Sequence, residues 1–269
     1  MNIAILYNRD IYALKALNLL LPSLDGHKLA LFHSDRVGRV PTHQPAAMAQ
    51  LNDIERELLE RTYRRGGQST LNFQELSSHY RCADLSLNDV NQKKGLDRLG
   101  AFAPDLIVSI RFGKILKPEA IAIPRYGMLN LHSGLLPAFR GVMPTFWAMR
   151  AGEAALGATL HWVPDATIDT GPIISTAEQT RSQGHSYLFE VWHLYEVGVP
   201  MLPAAVARIA AGDLTLAGTP PAAAGDHSQY FSFPDEKALE EFESKGLSLF
   251  NPNDLAEIAT ELAVATPSS

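Results

Sequence analysis

Cys82 is the only cysteine among the 269 residues, which excludes an intrachain disulfide and a cysteine-ligated zinc site. The nine histidines are scattered without a His-Glu-x-x-His or comparable spacing, so no metal ligands are assigned. No apolar run approaches the ~18 residues that a membrane-spanning helix requires. Met1 leads straight into Asn2-Ile3-Ala4-Ile5-Leu6 with no basic region or cleavage site. Together these absences predict a cytoplasmic protein with no membrane partner. Positive charge is also scarce, at 23 Lys and Arg against 29 Asp and Glu. From Asp213 onward the only basic side chains are Lys237 and Lys245, set among many acidic ones. General nucleic-acid binding is therefore not expected.

What remains is an ordinary globular composition, 46% hydrophobic and 19% charged. Strand-like and helix-like segments alternate: Ile3 to Tyr7, then Ile11 to Leu21, then His27 to His33. Helical periodicity follows over Leu51 to Tyr63, Leu71 to Tyr80 and Asn88 to Leu99, before a buried-looking strand, Asp105 to Ile110. This order predicts an α/β fold, a doubly wound, mostly parallel sheet with covered faces. The polar connection Ser34 to Gln44 opens a long excursion that either lines a site or covers a sheet edge. A long helical stretch is expected from Ser186 to about Ala211, broken or kinked at Pro200 and Pro203. Residues 1–212 are read as one domain and 213–269 as a small, mainly helical C-terminal appendage. Thr219 to Gly225 reads as its linker, and Thr266 to Ser269 as disordered.

Chemistry concentrates in two places. Asn130 and His132 stand two residues apart in a strand-like run, Tyr126 to His132, so their side chains share one face. Asp169 falls in a turn-prone loop between the apolar runs Ala158 to Val163 and Pro172 to Ala177. An amide that holds an oxyanion, an imidazole that moves protons near neutral pH and a carboxylate that orients it suit acyl transfer to nitrogen. Taken alone, Asn-x-His also fits a hydrogen-bonded structural histidine at a strand end.

The longer pattern resembles the folate-dependent formyltransferases. The resemblance rests on Asn130-Leu131-His132-Ser133-Gly134-Leu135-Leu136-Pro137-Ala138-Phe139-Arg140-Gly141 and, downstream, on Asp169-Thr170-Gly171. It implies a Rossmann-like catalytic domain and 10-formyltetrahydrofolate as formyl donor. Asn130 would hold the formyl oxygen, His132 would be the acid/base, and Asp169 would tune His132. It also implies a folate pocket built from Arg111, Phe112, Gly113, Lys114, Ile115 and Leu116, from Gly134, Leu135, Leu136 and Pro137, and from Asp165, Ala166, Thr167 and Ile168. The apolar members of that set equally suit a core beneath the sheet. One departure stands out, because the family usually has serine where this chain has Gly134.

The acceptor implied is a primary amine or hydroxylamine on a small metabolite, an amino sugar-nucleotide or an amino-acid derivative. In the family's glycinamide ribonucleotide enzyme the loop after the first strand binds a phosphate. Here that loop, Asn8-Arg9-Asp10, has no glycine to build a backbone cradle, which argues against the purine substrate. The acidic tail argues against tRNA. A 10-formyltetrahydrofolate hydrolase and a catalytically silent folate- or nucleotide-binding protein are the alternatives. Tyr230 and Phe231 suit either a wall of the acceptor pocket or a docking anchor, and aromatics in the tail would suit a homodimer.

Overall fold

A computed structural model describes residues 1–35, 44–64, 70–213 and 229–263. The expected linker, the expected disorder at 266–269 and most of the 34–44 connection lie outside the described residues. In chain order the elements are β1 (Asn2–Asn8), α1 (Ile11–Leu20), β2 (Lys28–Ser34), α2 (Ala46–Arg64), α3 (Phe73–His79), β3 (Ala83–Ser86) and α4 (Lys93–Ala101). There follow β4 (Leu106–Ile110), α5 (Pro118–Ile121), β5 (Met128–His132), β6 (Phe139–Gly141), α6 (Pro144–Ala151), β7 (Ala155–Trp162) and β8 (Ile173–Thr180). The last are α7 (Tyr187–Gly198), α8 (Met201–Ala210), β9 (Gln229–Phe231), α9 (Glu236–Ser244) and α10 (Pro252–Ala263).

The main sheet has seven strands in the order β3-β2-β1-β4-β5-β7-β8. Strands β3 to β5 in that order pair in parallel, β7 joins β5 antiparallel, and β8 joins β7 antiparallel. This is the doubly wound, mostly parallel architecture expected. The central strand shows why. In β1, Ile3, Ile5 and Tyr7 enter one buried cluster, with α1 and α7, while Ala4 and Leu6 enter another, with Leu99 of α4 and Ala120 of α5. Alternate side chains of a strand point to opposite faces, so an all-apolar strand needs cover on both. Each fully buried aliphatic side chain contributes about 1.5–3 kcal/mol, and Leu6→Ala would cost about 2–5 kcal/mol with its cavity.

The chain leaves β1 toward β2 on one side and returns to β4 on the other, so the order reverses at β1 and β4. Loops at such a switch point separate and leave a crevice beyond the strand ends. Asn8 to Asp10 and Arg111 to Gly113 are those two loops.

Several local expectations are revised. The helical stretch after Ser186 is two helices separated at Pro200, as expected, whereas Pro203 does not break it: it sits in the first turn of α8, where its missing N–H has no intrahelical partner to lose. The helix expected from Asn88 begins at Lys93, because Asn88 to Gln92 form a turn. The 34–80 excursion is followed by a short edge strand, β3, whose four residues have too little apolar alternation to announce it.

The C-terminal elements pack on α1, α6 and α7 of the same chain. Phe242 of α9 stacks on Phe146 of α6 at 4.4 Å. On α10, Glu261 accepts hydrogen bonds from Trp192 Nε1 at 2.6 Å and from Lys15 Nζ at 3.1 Å, and lies 3.0 Å from His193 Nε2. Burial alone would raise the Glu261 pKa, but these partners outweigh it and hold the group at about 2. Asp254, buried, accepts from the Ser186 N–H at 2.7 Å and lies 2.8 Å from His185 Nδ1. No helix among the described residues is long and apolar enough to cross a membrane.

Candidate active site

The crevice at the switch point holds a cavity of about 670 Å³, within the range of small-molecule sites. Its floor is the junction of β5 and β7. Asn130 and His132 project from β5 on one face, and the antiparallel register sets Asn130 directly opposite His161. Asp169 comes from the β7–β8 loop with φ +54°, a left-handed conformation that a short polar side chain tolerates better than most. Gly171 allows the loop to close here. A Cβ at that position would fall 1.8 Å from the Trp162 carbonyl oxygen, so only glycine lets the loop lie against the end of β7.

These elements bring four polar groups together. Asp169 Oδ2 lies 3.5 Å from His132 Nδ1, and its Oδ1 lies 3.5 Å from His161 Nε2. The Gly141 N–H donates to Asp169 Oδ2 at 2.9 Å. Burial works to raise the Asp169 pKa, but the two imidazoles and the Gly141 N–H prevail and hold it at about 2. Asp169 is thus a carboxylate at any physiological pH.

Hydrogen bonds fix the imidazole roles. His132 Nε2 is 2.7 Å from the Phe139 carbonyl, an obligate acceptor, so Nε2 carries the hydrogen in the neutral ring. Nδ1 is then the basic nitrogen, and it faces the Asp169 carboxylate. A proton taken at Nδ1 places a cation beside that anion. His161 Nδ1 lies 2.8 Å from the Trp162 carbonyl, an obligate acceptor, while its Nε2 lies 3.1 Å from Asn130 Nδ2 and 3.5 Å from Asp169 Oδ1. His161, which is buried, therefore orients the Asn130 amide. The arrangement pairs an oriented amide N–H donor with a base backed by a fixed anion.

Around this floor, Arg111 to Leu116 and Asp165 to Ile168 line the cavity. Arg111, at φ +59°, turns its guanidinium to Asp10, with Nε 2.9 Å from Oδ2, and stacks over Tyr12 at 4.6 Å. Gly113 is tied by its N–H to Ser34 Oγ at 2.9 Å. The Asp165–Thr167 turn is closed by the Thr167 N–H donating to Asp165 at 2.7 Å. Gly134, Leu135, Leu136 and Pro137 are placed differently and do not line the cavity. The Leu136 N–H donates to Thr159 Oγ1 at 3.1 Å, the Thr159 hydroxyl donates to the Gly134 carbonyl at 2.7 Å, and Leu135 packs over Gly157. That turn braces β5 against β7 from behind.

The Gly134 departure has a steric basis. A Cβ there would stand 2.4 Å from Pro144 Cβ and 3.0 Å from His132 Nε2. With Pro144 opening α6, the side chain usual in the family does not fit.

The cavity is also bounded by Asn8 to Asp10, which adjoin Arg111, by α2 including Glu55, and by Tyr230, Phe233 and Pro234 of the C-terminal segment. Asp10 caps α1 by accepting the Ala13 N–H at 2.9 Å, so a carboxylate already fills the helix N-terminus. Glu55 accepts from the Tyr12 hydroxyl at 2.7 Å, and burial pushes its pKa up to about 7 against the pull of Arg111.

The structure brings the three expected residues, Asn130, His132 and Asp169, together, and adds His161, which the sequence reading did not single out. Its signal was available, since Thr159 and His161 are polar at alternate positions of an otherwise apolar strand. Arg140 was also passed over. Its Nε and Nη2 both donate to the Ile168 carbonyl, at 3.0 and 2.7 Å, and so hold the backbone just before Asp169.

Residues 60–181 match the formyl transferase family. A methionyl-tRNA formyltransferase of Halorhodospira halophila is 34% identical over 125 residues, covering 44% of this chain and 38% of the relative. The chain covers only 26% to 51% of the length of the curated relatives it matches. A phosphoribosylglycinamide formyltransferase of Anaplasma phagocytophilum shares the fold with a TM-score of 0.57 at 16% identity, over 85% of this chain and 97% of that one. An N-formyltransferase of Helicobacter canadensis, solved with folinic acid and dTDP-3-aminofucose, gives a TM-score of 0.56 at 17% identity, over 87% and 71%.

Proposed function

We propose that this chain, whose residues 60–181 match the formyl transferase family, is a folate-dependent formyltransferase that transfers the formyl group of 10-formyltetrahydrofolate to a primary amine or hydroxylamine of a small metabolite. The observation that carries this reading is the Asp169 carboxylate held between His132 and His161, with Asn130 beside it, on the floor of a cavity of small-molecule size.

In the proposed reaction the acceptor nitrogen attacks the formyl carbon, and a C–N bond forms as the carbonyl pair moves to oxygen. The Asn130 N–H holds that oxyanion. The proton shed by the attacking nitrogen passes to His132 Nδ1, where Asp169 stabilises the imidazolium. Collapse of the tetrahedral intermediate breaks the bond to folate N10, which takes the proton back and leaves as tetrahydrofolate. No covalent enzyme intermediate is formed. The 111–116 and 165–168 walls would hold the pterin, leaving the Asn8–Asp10 and α2 side for the acceptor.

Two features of that side support a small acceptor other than a ribonucleotide. Asp10 occupies the α1 N-terminus where a phosphate would otherwise bind, and it also neutralises Arg111. The scarcity of basic residues after 213 likewise favours a small molecule over tRNA. The test is tetrahydrofolate release from 10-formyltetrahydrofolate, with and without pooled amino sugars, sugar-nucleotides, amino acids and hydroxylamines. Amine-dependent release is expected. Equal release without amine would replace the transferase with a hydrolase, and folate binding with no release would leave a silent binding protein.

A further inference from the structure

The family match ends at residue 181, yet β9 lies beside the reactive groups. The strap Phe139–Val142 carries two contacts on which the site depends: the Phe139 carbonyl at His132 Nε2, and the Gly141 N–H at Asp169 Oδ2. Within the strap, Arg140 is tied to the Ile168 carbonyl and the Phe139 N–H donates to the Leu135 carbonyl at 3.1 Å, but β6 is three residues long and not part of the main sheet. Its partner is β9, paired in parallel with Phe139 opposite Gln229, Arg140 opposite Tyr230 and Gly141 opposite Phe231.

Phe231 closes that pairing, opposite Gly141. Its ring stacks on Trp147 at 4.8 Å and on Phe139 at 6.0 Å, which locks the strap to α6. Its carbonyl accepts the Val142 N–H at 2.9 Å. Gly141, at φ +96°, lets the two backbones meet, because a Cβ there would lie 2.2 Å from the Phe231 oxygen. Trp147 Nε1 donates to both Val142 O at 3.1 Å and Ser232 O at 3.2 Å, stitching the two segments a second time.

We propose that Phe231 is a positioning residue for the chemistry: it anchors β9 so that the strap presents the Phe139 carbonyl to His132 and the Gly141 N–H to Asp169. The C-terminal segment is then part of the reactive centre, although it lies outside the family-matched region. The kinetic consequence rests on the formyl-transfer reading, but the geometric one does not.

The experiment compares the full-length protein with Phe231→Ala and Phe231→Tyr, and with Phe231→Leu should the alanine variant not fold. Three quantities are read: kcat for tetrahydrofolate release, the Kd for folinic acid, and the ¹⁵N imidazole resonances of His132. Because a misplaced reactive group costs rate more than affinity, Phe231→Ala should lose tenfold or more in kcat while the folinic acid Kd moves by less than about threefold. The His132 resonances should shift, and Phe231→Tyr should recover kcat to within about threefold of wild type. A kcat within about threefold of wild type in Phe231→Ala would overturn the proposal. So would loss of folinic acid binding in proportion to activity, which marks a merely structural role. Absence of turnover in the wild-type protein would instead reject the functional reading. In that case the His132 resonances decide, and unmoved resonances in the variant overturn the positioning role.

Discussion

Replacing Asp169 by Asn removes one charge while keeping an oxygen for the Gly141 N–H. In the reaction His132 Nδ1 becomes cationic 3.5 Å from Asp169 Oδ2. At an effective dielectric of about 20, a unit pair at that separation attracts by about 5 kcal/mol. Hydrogen bonding to the amide and water entry recover part of this, leaving a loss of roughly 3 kcal/mol in the transition state, which is about a hundredfold in rate. Folding must be separated from chemistry, because the same charge matters to stability. Asp169 is depressed to about 2 in the folded protein, so its stabilisation is present above the unfolded pKa near 3.8 and is lost as pH falls through about 2. That shift corresponds to about 2 kcal/mol at neutral pH, too little to unfold a typical domain. The assay is steady-state tetrahydrofolate release at pH 7.5 with saturating folate, alongside urea melts of both proteins. Asp169→Asn should lose about a hundredfold in kcat. Its stability deficit should close as pH falls from about 4 to about 2. A folded variant with kcat within about threefold of wild type would refute the reasoning.

Three further outcomes follow from the same geometry. Asn130→Ala and His132→Ala should each lower kcat by at least about a hundredfold while the fold stays intact, checked by a thermal melt of each variant, through loss of the oxyanion donor and of the base. Gly134→Ser should destabilise by about 1–3 kcal/mol in urea denaturation, because the new Cβ must displace Pro144. Glu55, raised to about 7, contributes stability that is complete below its unfolded pKa of 4.5 and lost as pH rises through about 7. Glu55→Gln should therefore raise the Tm relative to wild type at pH 8.5 and lose that advantage at pH 5, read by calorimetry.

The fold was legible where burial on both faces left unbroken apolar runs, as in β1 and β4, and where a residue type marked an end, as Pro200 does between α7 and α8. Asn130 and His132 could be placed because strand periodicity alone puts positions two apart on one face. Asp169 could be assigned to a loop but not aimed, since its orientation depends on a left-handed φ and on Gly171 lying against Trp162. His161 escaped because Thr159 and His161, polar at alternate positions of an otherwise apolar strand, read as hydrogen-bonded core residues until their partners across the ladder are known. The 134–137 turn resembled a pocket wall in sequence, but Thr159, 23 residues after Leu136, decides that it faces β7. The β6–β9 pairing was beyond reach for the same reason. Neither three-residue strand carries a periodic signal, and the contact joins segments about 90 residues apart.

The central claim is that the formyl carbon ends on an amine nitrogen. The most direct measurement is a single-turnover reaction of the protein with [¹³C-formyl]-10-formyltetrahydrofolate and the amine pool, followed by ¹³C NMR. The account predicts that the label appears as a formamide or N-formylhydroxylamine carbon at the rate at which tetrahydrofolate is released, and that Asp169→Asn slows both together. Label appearing as formate at an amine-independent rate would contradict it.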